Sequence, residues 1–261
     1  MPARTSHAPG TPSWIDLQTP DTAGAKSFYS TLFGWECSDE DTGSPDNPYT
    51  MCLKNGKTVA GLSGLPDEQR SMGVPPHWNT YVTVTDVDAS AAKAGELGGT
   101  VMAPPFDVLA AGRMAVLVDP TGAVFCIWQA KDHIGAGLVN EHGTLAWNEL
   151  MTPDVDAAAK FYEGLFGWTA NAEDMGGMIY TTLMLGDRGI AGAMKPPMEG
   201  IPANWSPYFA VDDCDATVDT ARSGGATVFM GPEDGPPGRM AALADPQGAM
   251  FSMITLAQPP D

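Results

Sequence analysis

Between Trp14 and Thr19 the chain reads WIDLQT, alternating side-chain character with the period of two that a half-buried strand requires. The period then lengthens. Ala25, Phe28, Leu32 and Phe33 form a helical stripe, with Asp21 as the candidate N-cap and Gly34 to stop it. Three short strands are expected next, near residues 35–40, 48–54 and 57–64. The cycle then restarts with a strand at NTYVTVT and a helix from about Asp88 to Leu97. Three more strands follow, around GTVMAPP, GRMAVLVD and AVFCIWQ. The DPTG between the last two reads as a tight turn, with Pro setting φ and Gly relaxing it. The pattern therefore predicts βαβββ twice in succession.

The whole pattern is then written again. WIDLQTPDTAGAKSFYSTLFGW (14–35) returns as WNELMTPDVDAAAKFYEGLFGW (147–168), identical at 12 of 22 positions. GRMAVLVDPTGAVF (112–125) returns as GRMAALADPQGAMF (238–251), identical at ten of 14. A repeat of this length sets the architecture before any motif is read. Two domains are expected, at residues 10–129 and 143–256, joined by an aperiodic linker at 130–142. The predicted class is α+β, with four βαβββ modules.

These motifs (TPD…FY…LFGW, VTDVDA and GRMAVLVDPTGAVF, with their second copies) resemble the vicinal oxygen chelate superfamily of glyoxalase I, bleomycin-resistance proteins and extradiol dioxygenases. More narrowly, the tandem form is similar to an actinobacterial glyoxalase-like group that includes a mycobacterial 27 kDa antigen, some of whose members are labelled hydroxylases. The resemblance implies that each pair of modules curls into a half-open barrel, with a small molecule held on the concave face, often on a divalent metal.

Composition narrows the partners. With 13 Lys+Arg against 32 Asp+Glu the net charge is −19, which repels phosphate backbones and anionic membranes. A small-molecule ligand is expected, with neither nucleic acid nor membrane as partner, in a monomer or homodimer. No apolar run approaches the roughly 18–20 residues of a membrane span, and the N-terminal stretch lacks the features of a secretory signal. The four cysteines are too sparse for a disulfide scaffold, so a reducing cytoplasm is the expected location.

The positions that the resemblance assigns to metal ligands hold Trp14, Asn79 and Cys126 in the first half, and Trp147, Ser206 and Ser252 in the second. A Zn, Fe or Mn site needs three or four imidazole, carboxylate or thiolate donors. These positions do not supply them, so no metal and no other cofactor is expected. Strand alternation instead puts Asp16 on one face with Trp14 and Glu149 with Trp147, a carboxylate against an indole, and the resemblance implies that this is the concave face. Two readings stand: a proton-handling or hydrogen-bonding pair, or a structural carboxylate with a core indole. Arg113 and Arg239 occupy equivalent places and either orient these carboxylates or form salt bridges at strand starts. His77-Trp78 and Asn204-Trp205 are read as a pocket mouth or, alternatively, as strand-entry packing. Tyr81 and its match Tyr208 are read as pocket lining or, alternatively, as core filling, Tyr81 alternating onto the face of Asn79 and Thr83 that the resemblance makes the ligand side. Tyr49 and Tyr180 form a further matched pair.

Two functions are compatible with this set. One is a protein that binds a small metabolite in its concave pockets without the family metal. The other is a metal-independent lyase, isomerase or hydroxylase-like enzyme using Asp16 or Glu149 as acid and base. Unequal halves would favour an enzyme, and equal ones a sequestering protein.

Overall fold

The computed structural model describes residues 3–41 and 48–258. The first half builds one eight-stranded sheet from β1 (Pro12–Thr19), β2 (Glu36–Glu40), β3 (Tyr49–Lys54), β4 (Lys57–Gly64), β5 (His77–Thr83), β6 (Thr100–Val108), β7 (Gly112–Val118) and β8 (Val124–Ala130). Its helices are α1 (Thr22–Phe33), the short α2 (Asp67–Ser71) and α3 (Val87–Glu96). The second half repeats the plan with β9 (Thr144–Met151), α4 (Val155–Phe166), β10 (Thr169–Asp174), β11 (Ile179–Leu185), β12 (Arg188–Met194), β13 (Asn204–Ala210), α5 (Cys214–Ser223), β14 (Thr227–Gly235), β15 (Gly238–Ala244) and β16 (Met250–Leu256). The short α2 follows Pro66 in the connection between β4 and β5.

The sheets have the same order, β2-β3-β4-β1-β5-β8-β7-β6 and β10-β11-β12-β9-β13-β16-β15-β14. In each, the first strands of the two modules lie antiparallel at the centre, Asp16 opposite Asn79 and Glu149 opposite Ser206. Each sheet stays open between its outer strands. Local chemistry accounts for the helix ends. Asp21, Asp86, Asp154 and Asp213 each accept from a backbone N–H three residues on. Gly34 and Gly167 end α1 and α4 in the left-handed conformation, φ 71° and 76°.

The hydrophobic core is shared between the halves. Phe28, Tyr29, Phe33 and Trp35 from the first module of the first half pack with Phe209, Val218, Leu243 and Phe251 from the last module of the second. Reciprocally, Phe161, Tyr162, Leu165 and Trp168 pack with Val87, Leu117, Phe125 and Ile127. The buried Tyr29 hydroxyl donates to Asp245 Oδ2 at 3.0 Å and accepts from Trp78 Nε1 at 3.3 Å. Tyr162 donates to Asp119 Oδ2 at 3.0 Å and accepts from Trp205 Nε1 at 2.9 Å. The other oxygen of Asp119 and of Asp245 closes its own DPxG turn by accepting three backbone or hydroxyl donors. The indoles ending each LFGW cross over as well, Trp35 Nε1 to Gly143 O and Trp168 Nε1 to Gly10 O, both at 2.7 Å. The most strongly repeated residues are thus those that join the two halves.

Two expectations are corrected here. Trp78 and Trp205 do not rim a pocket, because both lie within these cores, 4% and 5% exposed, and their N–H groups are used on the tyrosines. The cysteines are not all free either. Cys37 and Cys52 face each other across β2 and β3 and are joined in a disulfide, where the second half pairs Ala170 with Leu183. The spacing offered no such sign, since only the strand register brings the two together.

The Tyr162→Phe variant tests the shared core. It leaves Trp205 Nε1 and one oxygen of Asp119 unpaired in a buried place, so urea denaturation should show a loss of about 1–3 kcal/mol. An unchanged midpoint would mean that the buried hydroxyl contributes nothing to the join.

Candidate functional site: two unequal inner faces

Each sheet turns one face to the shared core and leaves the other for a site. On the inner face of the first sheet, Asp16 is held on all sides. Asn79 Nδ2 donates to Oδ1 at 2.9 Å, and Tyr81 and Tyr49 donate to Oδ2 at 2.7 and 3.2 Å. Trp14 Nε1 in turn donates to the Tyr49 hydroxyl at 3.0 Å. Tyr49 reaches Asp16 across β4 only because Gly61 lies between them; a Cβ there would come within 1.9 Å of the phenol oxygen. Burial pushes the Asp16 carboxyl above its ordinary range, while the amide and the two phenols pull it back.

The linker closes this face. Ala136 packs with Trp14, Tyr81, Met114, Cys126 and Trp128 in a cluster of its own, with Val139 against it. His133 stands edge-on to Trp14, ring centroids 4.5 Å apart, and its carbonyl accepts from Trp128 Nε1 at 2.9 Å. Ala136 N donates to Ser13 O, and Thr58 Oγ1 donates to Gly135 O. The N-terminal segment adds Arg4 N to Gly137 O and His7 Nε2 to Ala136 O, each at 2.9 Å. As a result Trp14 is 4% and Tyr81 7% exposed.

The second inner face repeats the chemistry without the strap. Tyr208 donates to Glu149 Oε1 at 3.1 Å, Tyr180 also favours the ionised carboxylate, and Trp147 Nε1 donates to the Tyr180 hydroxyl at 3.1 Å. Gly192 serves Tyr180 as Gly61 serves Tyr49, a Cβ there falling 2.0 Å from the phenol oxygen. Where Asn79 clamps Asp16, the counterpart Ser206 makes no hydrogen bond to Glu149. Where Thr58 holds the linker, the counterpart is Gly189. Trp147, Tyr180 and Tyr208 stay partly exposed, and no cluster like the one over Trp14 forms here among the described residues. Burial raises the Glu149 carboxyl above its ordinary range, opposed by Tyr208 and then Tyr180. The same burial, together with the Glu149 charge, raises both phenols, so they remain protonated donors.

The remaining predicted residues divide. Cys126 and Ser252 lie on the inner faces beside Tyr81 and Tyr208. Burial and the Asp16 charge push the Cys126 thiol well up, away from nucleophilic use. His77 and Asn204 sit half-buried at the strand entries, each bonded to a proline carbonyl two residues back. Arg113 and Arg239 are a correction, since neither reaches a site carboxylate. Arg113 grips Asp88 through Nε at 2.7 Å and Nη2 at 2.8 Å, and Arg239 grips Asp215 at 2.5 and 2.9 Å, with Asp234 at 3.2 Å. Both tie a strand to an exposed acidic residue in the first turn of α3 or α5. Tyr49 and Tyr180 belong to the clusters although the sequence marks them only as a matched pair. The signal was Gly61 and Gly192, each facing a tyrosine of the neighbouring strand.

A metal of the kind the fold implies does not fit these residues. Each inner face presents one carboxylate among phenols, amides and hydroxyls, and no group of three or more His, Cys, Asp or Glu able to share an ion occurs among the described residues. No step is therefore derived through one.

Comparison with known proteins agrees with this architecture. Residues 14–128 match the family described as a glyoxalase-like domain, and residues 144–253 match the Glyoxalase/Bleomycin resistance protein/Dioxygenase superfamily. A Mycobacterium tuberculosis protein named "Putative glyoxylase CFP32" is 48% identical over 97% of this chain and 98% of its own. The chain belongs to the glyoxalase and dioxygenase superfamily. A further relative, the anthracycline biosynthesis protein DnrV of Streptomyces peucetius, is 36% identical over 97% of this chain and 96% of its own. Among solved structures, the 2,3-dioxygenase LapB from Pseudomonas sp. KL28 superimposes with a TM-score of 0.66 at 15% identity, covering 96% of this chain and 93% of that one, a likeness of fold. No helix among the described residues is long and apolar enough to cross a membrane.

The strap makes a pH prediction. Burial, with His7 nearby, lowers the His133 imidazole from 6.5 to about 4. Above pH 6.5 both folded and unfolded chains hold it neutral. Between 6.5 and 4 only the unfolded chain takes the proton, so stability is lost as pH falls through that window and is flat below it. The difference in melting temperature between wild type and His133→Asn should therefore shift against the wild type from pH 7 to pH 4. A pH-independent difference would show that the His133 ring is not buried against Trp14.

Proposed function

We propose that the protein binds a small organic molecule on the inner face of its second sheet, with Glu149, Tyr180 and Tyr208 as the recognising polar groups and Trp147 as an aromatic wall. One observation carries this reading. The same carboxylate–phenol–indole cluster occurs twice, fully clamped and strapped over around Asp16, but partly exposed and without its amide clamp around Glu149. Both carboxylates are buried, but a site also needs spare bonding capacity and an approach, and the second cluster supports both through the missing amide clamp and its partly exposed indole and phenols. In this reading Asp16 and its partners are structural, and the first half is a scaffold for the second. Relatives whose names range from glyoxylase to anthracycline biosynthesis protein support a small organic ligand, since one fold can serve several of them.

A second reading, catalysis without a metal, draws on the inequality of the two halves, which favours an enzyme, and on the electrostatics of Glu149. A carboxyl raised by burial is better matched to taking and returning a proton near neutrality than an exposed one. Protonation of Glu149 would release the Tyr208 hydroxyl to donate to an oxygen on which charge collects. Binding is common to both readings and is the firmer statement.

Native mass spectrometry of the protein purified from its source organism tests it. The expected result is one retained small molecule per chain, lost in Glu149→Gln and kept in Asp16→Asn. With a recovered ligand, Glu149→Gln should weaken binding at least tenfold, about 1.4 kcal/mol, with little change in melting temperature. Two ligands per chain, or loss in Asp16→Asn alone, would overturn the assignment.

A further inference from the structure

We propose that the second inner face takes a flat, uncharged aromatic molecule of two or more fused rings that carries a hydroxyl or an equivalent hydrogen-bond donor. The proposal rests on the reading that this face is the working site, and adds the chemical class of its ligand.

The wall is aromatic and held in place. The Trp147 indole lies along β12 where glycines leave room for it; a Cβ at Gly192 would come within 2.9 Å of Nε1, and one at Gly189 within 3.3 Å of Cη2. Its N–H is already engaged by Tyr180, so a ligand meets the indole through its remaining partly exposed surface. Around it the same face is rich in thioethers. Strand alternation brings Met151, Met184, Met194 and Met240 to this side, all partly exposed, and Met184 Sδ lies by Gly189 next to the indole. The strapped first half has Gln18, Leu53, Ser63 and Met114 at those places. The face left open is thus the one where two polar positions have become methionine. Soft, polarisable thioethers and a fixed indole favour contact with aromatic rings over saturated ones.

The floor selects the polar group. Glu149 is buried among phenols, and the position of the Asn79 clamp is taken by Ser206, so its carboxylate has capacity for one more donor. No lysine, arginine or histidine is among the groups acting on it, and Arg239 is occupied by Asp215 and Asp234. An anionic ligand would therefore meet a carboxylate with no counter-charge, in a chain of net charge −19. An aromatic hydroxyl satisfies the carboxylate without that cost.

Isothermal titration of the full chain at neutral pH with 2-naphthol, its saturated analogue decahydro-2-naphthol and the anion 2-naphthoate decides the matter. 2-Naphthol should bind once per chain, at least tenfold more tightly than either comparator, and lose about tenfold in Glu149→Gln and in Tyr208→Phe. If decahydro-2-naphthol or 2-naphthoate binds as well or better, with the same dependence on Glu149, the face is the site but the ligand class is wrong. If none of the three binds, the ligand class is wrong while the face still stands on the Glu149-dependent retention of a native ligand. If 2-naphthol binds but ignores both substitutions, the proposal falls and the assignment of this face falls with it.

Discussion

A buried tyrosine hydroxyl held by an aspartate of the other half is the bond on which the rest of this structure depends. Tyr29 reaches Asp245, and Tyr162 reaches Asp119, each tyrosine also accepting from a tryptophan of its own half. The aspartate spends one oxygen closing its own turn and the other on the opposite half, so turn and interface cannot be altered separately. The stacked rings of Tyr29 on Trp35 and Tyr162 on Trp168 fix the same tyrosines from the side. A hydrogen bond of this kind contributes only about 1 kcal/mol net. Its larger effect is to require one relative placement of the two sheets, because any other leaves buried polar groups unpaired.

That placement commits the outer faces of both sheets to packing and leaves only the inner faces for chemistry. The two inner faces began from the same cluster and diverged. In the first, an amide at 79, a threonine at 58 and the linker at 133–139 combine to bury the carboxylate and the indole. In the second, serine and glycine stand where the amide and the threonine would be; the carboxyl is as buried as its counterpart, but the indole and the two phenols around it stay partly exposed. The duplicated pair thus has one member covered by the linker and one left uncovered among the described residues.

The fold was largely legible because its signals are local and agree with one another: alternation, Asp N-caps, glycine stops and DPxG turns, all written twice. The carboxylate–indole pairs were legible too, since alternation alone places Asp16 with Trp14 and Glu149 with Trp147. What escaped depends on distance in space. Trp78 and Trp205 sit three residues before Tyr81 and Tyr208, so alternation already turns them to the opposite face; that this face packs against the other half is what no local pattern reveals. Arg113 and Arg239 are drawn to aspartates at helix starts, 25 and 24 residues away in the chain. The Cys37–Cys52 bond follows from strand register, and the closing of the first face from a linker whose sequence has no period. Tyr49 and Tyr180 could have been found, because each needs a glycine on the next strand to reach its carboxylate.

The inequality of the two faces is the central claim, and it can be measured without knowing the ligand. Fluorine NMR of 5-fluorotryptophan-labelled protein, with Trp14 and Trp147 assigned by phenylalanine substitution, reports each indole separately. On addition of a soluble gadolinium chelate, the Trp147 resonance should broaden strongly while the Trp14 resonance stays sharp. Equal broadening of the two, or greater broadening of Trp14, would contradict the account.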